Sequence, residues 1–170
     1  MVSDVRFDAE TKLAEAPVVA KADLRLWLRL FTCTSLIERE IRRRLRKQFS
    51  ETLPRFDLMA QLDRVEHGMT LGEVSRRMMV SAGNVTSLVE RMVRAGYVER
   101  RTAPHDRRSQ LIRLTRNGRH AFGVMAAAHQ VWIGELLGEL GERDMAAAMD
   151  ELAKLKRSVT RALTRNGGRP

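Results

Sequence analysis

The chain has 170 residues, with 31 Lys and Arg against 21 Asp and Glu, a formal net charge of +10. Its 44% hydrophobic and 31% charged residues suit one globular domain with extensions, not a disordered chain, and its single cysteine excludes an internal disulfide framework. No apolar run approaches the roughly 20 residues that span a bilayer, and the polar N-terminus lacks the apolar segment of a secretory signal, so a cytoplasmic protein with an anionic partner is expected.

Residues 1–20 are acidic and end near Pro17, the pattern of a flexible lead-in. From Asp23 to about Phe49 the chain lacks Gly and Pro and predicts one long helix. Leu30, Cys33, Ile37, Ile41 and Leu45 recur at three- and four-residue steps as its apolar stripe, and Arg39, Arg42, Arg43, Arg46 and Lys47 occupy the opposite face. Ser50 to Pro54 interrupts it, and Pro54 suits the first turn of a second helix with Phe56, Leu58, Met59, Leu62 and Val65 inward. That helix ends at His67-Gly68.

Thr70 and Glu73 have the spacing of a capping box, followed by a short helix, LGEVSRRMMV, with Leu71, Val74 and Met78 inward. Ser81 then caps another helix with Val85, Leu88, Val89 and Met92 apolar, and Gly96 stands where a left-handed residue ends it. Two short helices joined by a tight turn make a helix-turn-helix. After Gly96 the period changes: Tyr97–Arg101 and Gln110–Leu114 read as strands around the polar segment TAPHDRRS, a hairpin directly after the helix-turn-helix. Thr115 caps a helix running to about Leu140 with Phe122, Met125, Val131, Ile133, Leu136 and Leu137 apolar. Gly141 breaks it, and a final helix over about 143–164 carries Met145, Met149, Leu152, Leu155, Val159 and Leu163 on one stripe.

The predicted fold is therefore mainly α: a winged helix-turn-helix with a two-stranded β wing, flanked by N- and C-terminal dimerisation helices. Apolar stripes on flanking helices need a partner, and a second copy of the chain is the simplest. The expected divisions are an extension over 1–20, a helical dimerisation region over 21–53 and 116–165, and a DNA-binding domain over 54–115.

The charge is not spread evenly. Residues 70–120 hold eleven Arg and no Lys against Glu73, Glu90, Glu99 and Asp106, whereas residues 1–20 are net acidic. Arginine in this density favours planar, bidentate contacts to phosphate or guanine, the alternative being a solvated basic face. The second short helix begins Ser81-Ala82-Gly83-Asn84-Val85-Thr86-Ser87. In a recognition helix such residues read base edges: Asn84 matches adenine, Thr86 and Ser87 reach bases or phosphates, and Arg91 reaches the backbone one turn on. Otherwise they are ordinary capping and surface residues. Arg107 and Arg108 near the hairpin tip suit the narrow minor groove of A/T-rich DNA, with Asp106 orienting one of them.

Residues 23–165 resemble the MarR family of transcriptional regulators. The resemblance rests on TLGEVSRRMMVSAGNVTSLVERMVRAGYVERR followed by PHDRRSQLIRLTRNGR. Met92 replaces the usual Leu, and Gly96, Tyr97, Val98, Arg100, Asp106, Arg108, Ser109, Leu114, Thr115 and Gly118 match the family pattern. It implies a homodimer with interlocked terminal helices, recognition helices in successive major grooves of double-stranded DNA, and Arg108 in the minor groove. It also implies repression relieved by a small-molecule effector, in a pocket between dimerisation helices and winged helix. Trp27, Phe31, Phe56 and Met59 offer an aromatic and Met-lined wall there, and Arg25, Arg76 or Arg77 an anion partner. The same residues equally suit a dimer or domain core. The segment LWLRLFTCTSLIEREIRRRLR is similar to regulators of aromatic-acid catabolism, which implies an aromatic acid or its coenzyme A thioester as effector.

Cys33 opens a redox alternative, because some members of that family sense peroxide through an N-terminal cysteine; its place on the apolar stripe predicts a buried structural thiol instead. The four His are scattered, so no metal site is expected, and no cofactor is implied. There is no G-x-S-x-G, P-loop or G-x-G-x-x-G, so an enzyme is not expected. The rival readings are an effector-independent architectural DNA binder and a membrane-surface module built on IRRRLRK.

Overall fold

The computed structural model describes residues 22–103 and 106–166, excluding the side chains of residues 103, 106–109 and 166. The order is α1 (Ala22–Phe49), α2 (Leu53–Asp63), β1 (Met69–Thr70), α3 (Leu71–Met78), α4 (Ala82–Arg94), β2 (Val98–Ala103), β3 (Asp106–Leu114), α5 (Arg116–Leu137) and α6 (Glu142–Asn166). It is the mainly helical winged fold expected. The chain divides into two compact units, residues 1–130 and 131–170.

In the first unit the core is aliphatic. Ile41 and Leu45 of α1, Leu58, Met59 and Leu62 of α2, Val74 of α3, Val85, Val89 and Met92 of α4 and Ile112 of β3 are all buried. Burial along the α1 stripe begins only at Ile41; Leu30 and Ile37 are half-buried and Cys33 is exposed, against the expectation of a buried thiol. The first half of α1 carries its apolar residues outward, with Leu24, Leu26, Trp27, Phe31 and Leu36 exposed. The helix ends at Ser50, which adopts φ 55° while its N–H donates to the Arg46 carbonyl.

The sheet has three strands in the order β1-β3-β2, all antiparallel, where two were expected. The added strand pairs Met69 with Ile112 and Thr70 with Leu111. Gly68 makes this possible: its φ is +86°, and a β-carbon there would lie 2.7 Å from the Ile112 carbonyl oxygen. In β2 and β3, Val98 faces Leu114 and Arg100 faces Ile112. Both strands run into the segment expected as loop, with a register shift at Thr102/Ala103 before the Ala103–Asp106 pair.

Thr115 fixes where α5 starts. Its N–H donates to the Tyr97 carbonyl at 3.0 Å, its hydroxyl donates to the Gly96 carbonyl at 2.7 Å, and that hydroxyl accepts from the Gly118 N–H at 2.9 Å. Further along α5, Phe122 and His129 close over Phe56 of α2, with ring centroids 5.5 and 4.9 Å away.

In the second unit the end of α5 is followed by α6, whose first turn closes with the Met145 N–H donating to the Gly141 carbonyl. Met149, Leu152, Val159 and Leu163 of α6 are exposed, as are Val131 and Leu136 of α5. Among the described residues no helix is long and apolar enough to cross a membrane.

Candidate nucleic-acid interface

The helix-turn-helix is built from local signals. Thr70 and Glu73 form the capping box: the Thr70 N–H donates to Glu73 Oε2 at 2.8 Å, and the Glu73 N–H donates to Thr70 Oγ1 at 3.3 Å. The hydrogen bond from the Thr70 backbone holds the Glu73 carboxyl below its ordinary range, helped by the Thr70 hydroxyl. Helix α3 stops at Met78, two residues earlier than expected, because Met79 turns left-handed with φ 55°. Its N–H caps the Arg76 carbonyl, and the Ser75 hydroxyl donates to the Val80 carbonyl at 2.7 Å. This polar lacing sets the turn without glycine and leaves the Met79 side chain 92% exposed beside the start of α4. No helical period signals a left-handed methionine.

Ser81 caps α4, its hydroxyl accepting from the Asn84 N–H at 3.4 Å. Val85, Leu88, Val89 and Met92 face the core, so the opposite side of α4 faces out by helical period. Asn84 is exposed there, with no side-chain hydrogen bond among the described residues. Both ends of its amide are free to meet the two hydrogen-bonding groups of an adenine edge. Thr86 is half-buried and its hydroxyl donates to the Ala82 carbonyl, which leaves it less available than its neighbours. Ser87 and Arg91 form one unit: the guanidinium donates to the Ser87 hydroxyl at 2.7 Å, and both are exposed.

At the base of the wing, Glu99 of β2 accepts from Arg113 of β3 and Arg101 of β2. The Arg113 bond leads, and together they hold the Glu99 carboxyl below its ordinary range. Arg100 reaches Glu90 of α4 at 4.0 Å, so helix and wing are tied by an exposed ion pair. The hairpin side chains Asp106, Arg107 and Arg108 lie outside the described residues; their backbone lies at the start of β3.

The residues expected around an effector fall into separate places. Trp27 and Phe31 are exposed on α1 with ring centroids 5.9 Å apart, and Arg25 is exposed one turn before. Phe56 and Met59 instead lie in the core of the first unit, Met59 fully buried. Arg76 and Arg77 are exposed in the last turn of α3. Among the described residues no group of three His, Cys, Asp or Glu is placed to hold a metal ion.

The sequence reading left one basic feature without a place. Arg42 and Arg46 of α1 line a groove with Arg55 of α2 and Arg91 of α4. Glu51, in the wall of that groove, is buried and accepts two bonds from Arg55, at 2.9 and 3.1 Å.

Residues 52–109 match the MarR family. Over 164 residues the chain is 30% identical to the transcriptional activatory protein BadR of Rhodopseudomonas palustris, covering 95% of this chain and 88% of BadR. A MarR family transcriptional regulator from Silicibacter pomeroyi has the same fold, with a TM-score of 0.70, 31% identity, and coverage of 81% of this chain and 94% of that one. A mutant MarR from E. coli, solved in complex with operator DNA, superposes with a TM-score of 0.68 over 77% of this chain and 93% of that chain; at 23% identity, it shares the fold.

Proposed function

The chain belongs to the MarR family of transcriptional regulators, and on that premise we propose that it acts as a ligand-responsive homodimer that represses transcription from a pseudo-palindromic operator. The observation that carries the reading is the outward face of α4. Asn84 is exposed and unpaired there, with the Ser87–Arg91 unit one turn on, the order in which a recognition helix meets bases and then backbone. The wing arginines Arg107 and Arg108 add minor-groove contacts, with Asp106 orienting one of them.

The homodimer is supported by the apolar side chains left uncovered in a single chain. Trp27, Phe31 and Leu36 on α1, and Met149, Leu152 and Leu163 on α6, are each between 46% and 66% exposed. Patches of this size on two helices match the surface expected of a subunit seam. Two copies would set their recognition helices about 34 Å apart, one turn of B-DNA.

The effector in this reading is an aromatic acid or its coenzyme A thioester. The Trp27–Phe31 pair offers a stacking surface and Arg25 a carboxylate partner. Phe56 and Met59 form closed core behind α1, and Arg77 on α3 is a second anion partner. Ligand binding would favour a spacing of the two recognition helices that no longer fits successive major grooves, so ligand and DNA oppose each other reciprocally.

A thermal-shift screen of aromatic acids and their thioesters tests this, because a ligand of the native state raises the melting temperature by mass action. The expected hits also release a selected operator duplex. If none moves either quantity and random duplexes bind as tightly as selected ones, the chain is an architectural DNA binder. The activatory name of the Rhodopseudomonas palustris relative supports a second reading, in which the bound dimer recruits polymerase. Run-off transcription separates the two: repression lowers the transcript on adding protein, and activation raises it.

A further inference from the structure

The basic face of α1 has no part in the proposed reading of bases. Arg39, Arg42 or Arg43, and Arg46 follow one another at three- to four-residue steps, so they form one track along the helix. At about 1.5 Å per residue the track is roughly 10 Å long. Arg42 and Arg46 line both the depression that holds Arg39, Arg43 and Lys47 and the groove that holds Arg55 and Arg91. The strip is therefore continuous from α1 to the recognition helix.

Its charge is available. Arg42 is bonded to Glu38, and Arg43 and Arg44 to Glu40. Arg39, Arg46 and Lys47 make no ion pair among the described residues and are all exposed. Glu51 is spent on Arg55, and α2 begins in the groove, adding the positive end of a helix.

We propose that this strip is a second contact with the DNA backbone, holding phosphates that flank the half-site read by α4. The proposal rests on the DNA-binding reading above and extends it to a face that reading does not use. An elongated row of separated cations suits a strand with a phosphate about every 3.4 Å of duplex axis, whereas a small phosphate ligand needs donors converging on one point. Arg91 makes the strip continuous with the base-reading surface, since the same guanidinium lies in the groove and bonds to Ser87.

Fluorescence anisotropy of the full chain tests the proposal, using a duplex selected from a randomised pool and a random duplex, between 50 and 200 mM salt. Each phosphate contact contributes about 0.9 to the slope of log K against log salt, so Arg39→Gln with Arg46→Gln should flatten the slope by about 1.8. Selected and random duplexes should weaken alike, with their ratio and the melting temperature unchanged, and Arg46→Lys should keep the slope. Trimming the duplex outside the half-sites should flatten the slope for the natural chain and leave the double variant unmoved. An unchanged slope in the double variant, while Asn84→Ala still loses preference for the selected duplex, overturns the strip and leaves the base reading standing. Inorganic phosphate or coenzyme A that stabilises the natural chain but not that double variant, with the DNA slope unchanged, also overturns it in favour of a free phosphate ligand. A natural chain with no preference for any duplex overturns both readings.

Discussion

A β-carbon on Gly118 would lie 1.9 Å from the carbonyl oxygen of Tyr97. The first turn of α5 is pressed against the backbone that leaves α4, and the Thr115 bonds to Gly96 and Tyr97 hold it there. No side chain can be accommodated without moving α5 or the start of β2. Gly118→Ala should therefore cost at least the 1–3 kcal/mol typical of overpacking, lowering the melting temperature by about 2–4 °C for each kcal/mol. Gly96→Ala is the instructive contrast, since nothing lies within 4 Å of its β-carbon but φ is +74°. Its cost should be about 1 kcal/mol, from backbone strain alone. Thermal denaturation of both variants measures the difference, and equal losses would contradict the close approach at Gly118.

Acid should destabilise the first unit in two stages. His129, half-buried against Phe56, has its imidazole pushed below its ordinary range by burial. The unfolded chain then binds a proton first, so this contribution is complete above about pH 6.5 and is lost as pH falls through that value. Glu40 is held at about 2 by hydrogen bonds from Arg43 and then Arg44, and Glu73 and Glu99 are lowered by Thr70 and by Arg113. Their contributions are present above about pH 4.3 and are lost below it. Asp57, raised by burial, works in the opposite direction. Melting temperature against pH should show both stages, and His129→Phe should remove only the upper one.

Wherever a single local signal decided an element, the sequence displayed it. The Thr70–Glu73 capping box, the Ser81 cap and left-handed Gly96 mark the helix-turn-helix without any knowledge of its neighbours. Strand β1 escaped notice because two residues have no readable period; their pairing with Leu111 and Ile112 depends on Gly68 admitting β3. Met79 escaped because its left-handed turn is held by bonds to Arg76 and Val80 rather than by its own conformational freedom. The stripe on α1 was visible, but a stripe does not say which half of it a single chain covers; Cys33 fell in the uncovered half. The groove joining Arg46 to Arg91 needed the two helices to be brought side by side.

Asn84→Ala should separate base reading from backbone attraction. A bidentate amide–adenine pair is worth about 1–3 kcal/mol of discrimination, so preference for the selected duplex should fall about 5- to 150-fold. Random duplexes should bind as before, with the same salt slope, because no phosphate contact is lost. A uniform loss on both duplexes would move Asn84 from base to backbone.

Arg108→Ala should do the reverse along the wing. Loss of one guanidinium from the minor groove should flatten the salt slope by about 0.9 and weaken A/T-rich flanks more than G/C-rich ones. Titrations with duplexes that differ only in the flanks read this directly. Equal weakening on both flanks would make Arg108 a phosphate contact.

The dimer can be tested on α6 without touching the DNA-binding residues. Met149, Leu152 and Leu163 are 65%, 50% and 66% exposed in one chain. If a second copy covers them, a carboxylate at 152 or 163 buries an unpaired charge in the seam, at a cost of several kcal/mol. Leu152→Glu with Leu163→Glu should sediment as a monomer at micromolar concentration, and the fold of residues 22–130 should survive, as far-UV circular dichroism would report. Affinity for a single half-site should be preserved, while affinity for the full palindrome should fall by about 100-fold or more, because the second half-site no longer binds intramolecularly. A double variant that still sediments as a dimer would place the seam elsewhere, with the exposed Trp27 and Phe31 on α1 as the next surface to charge.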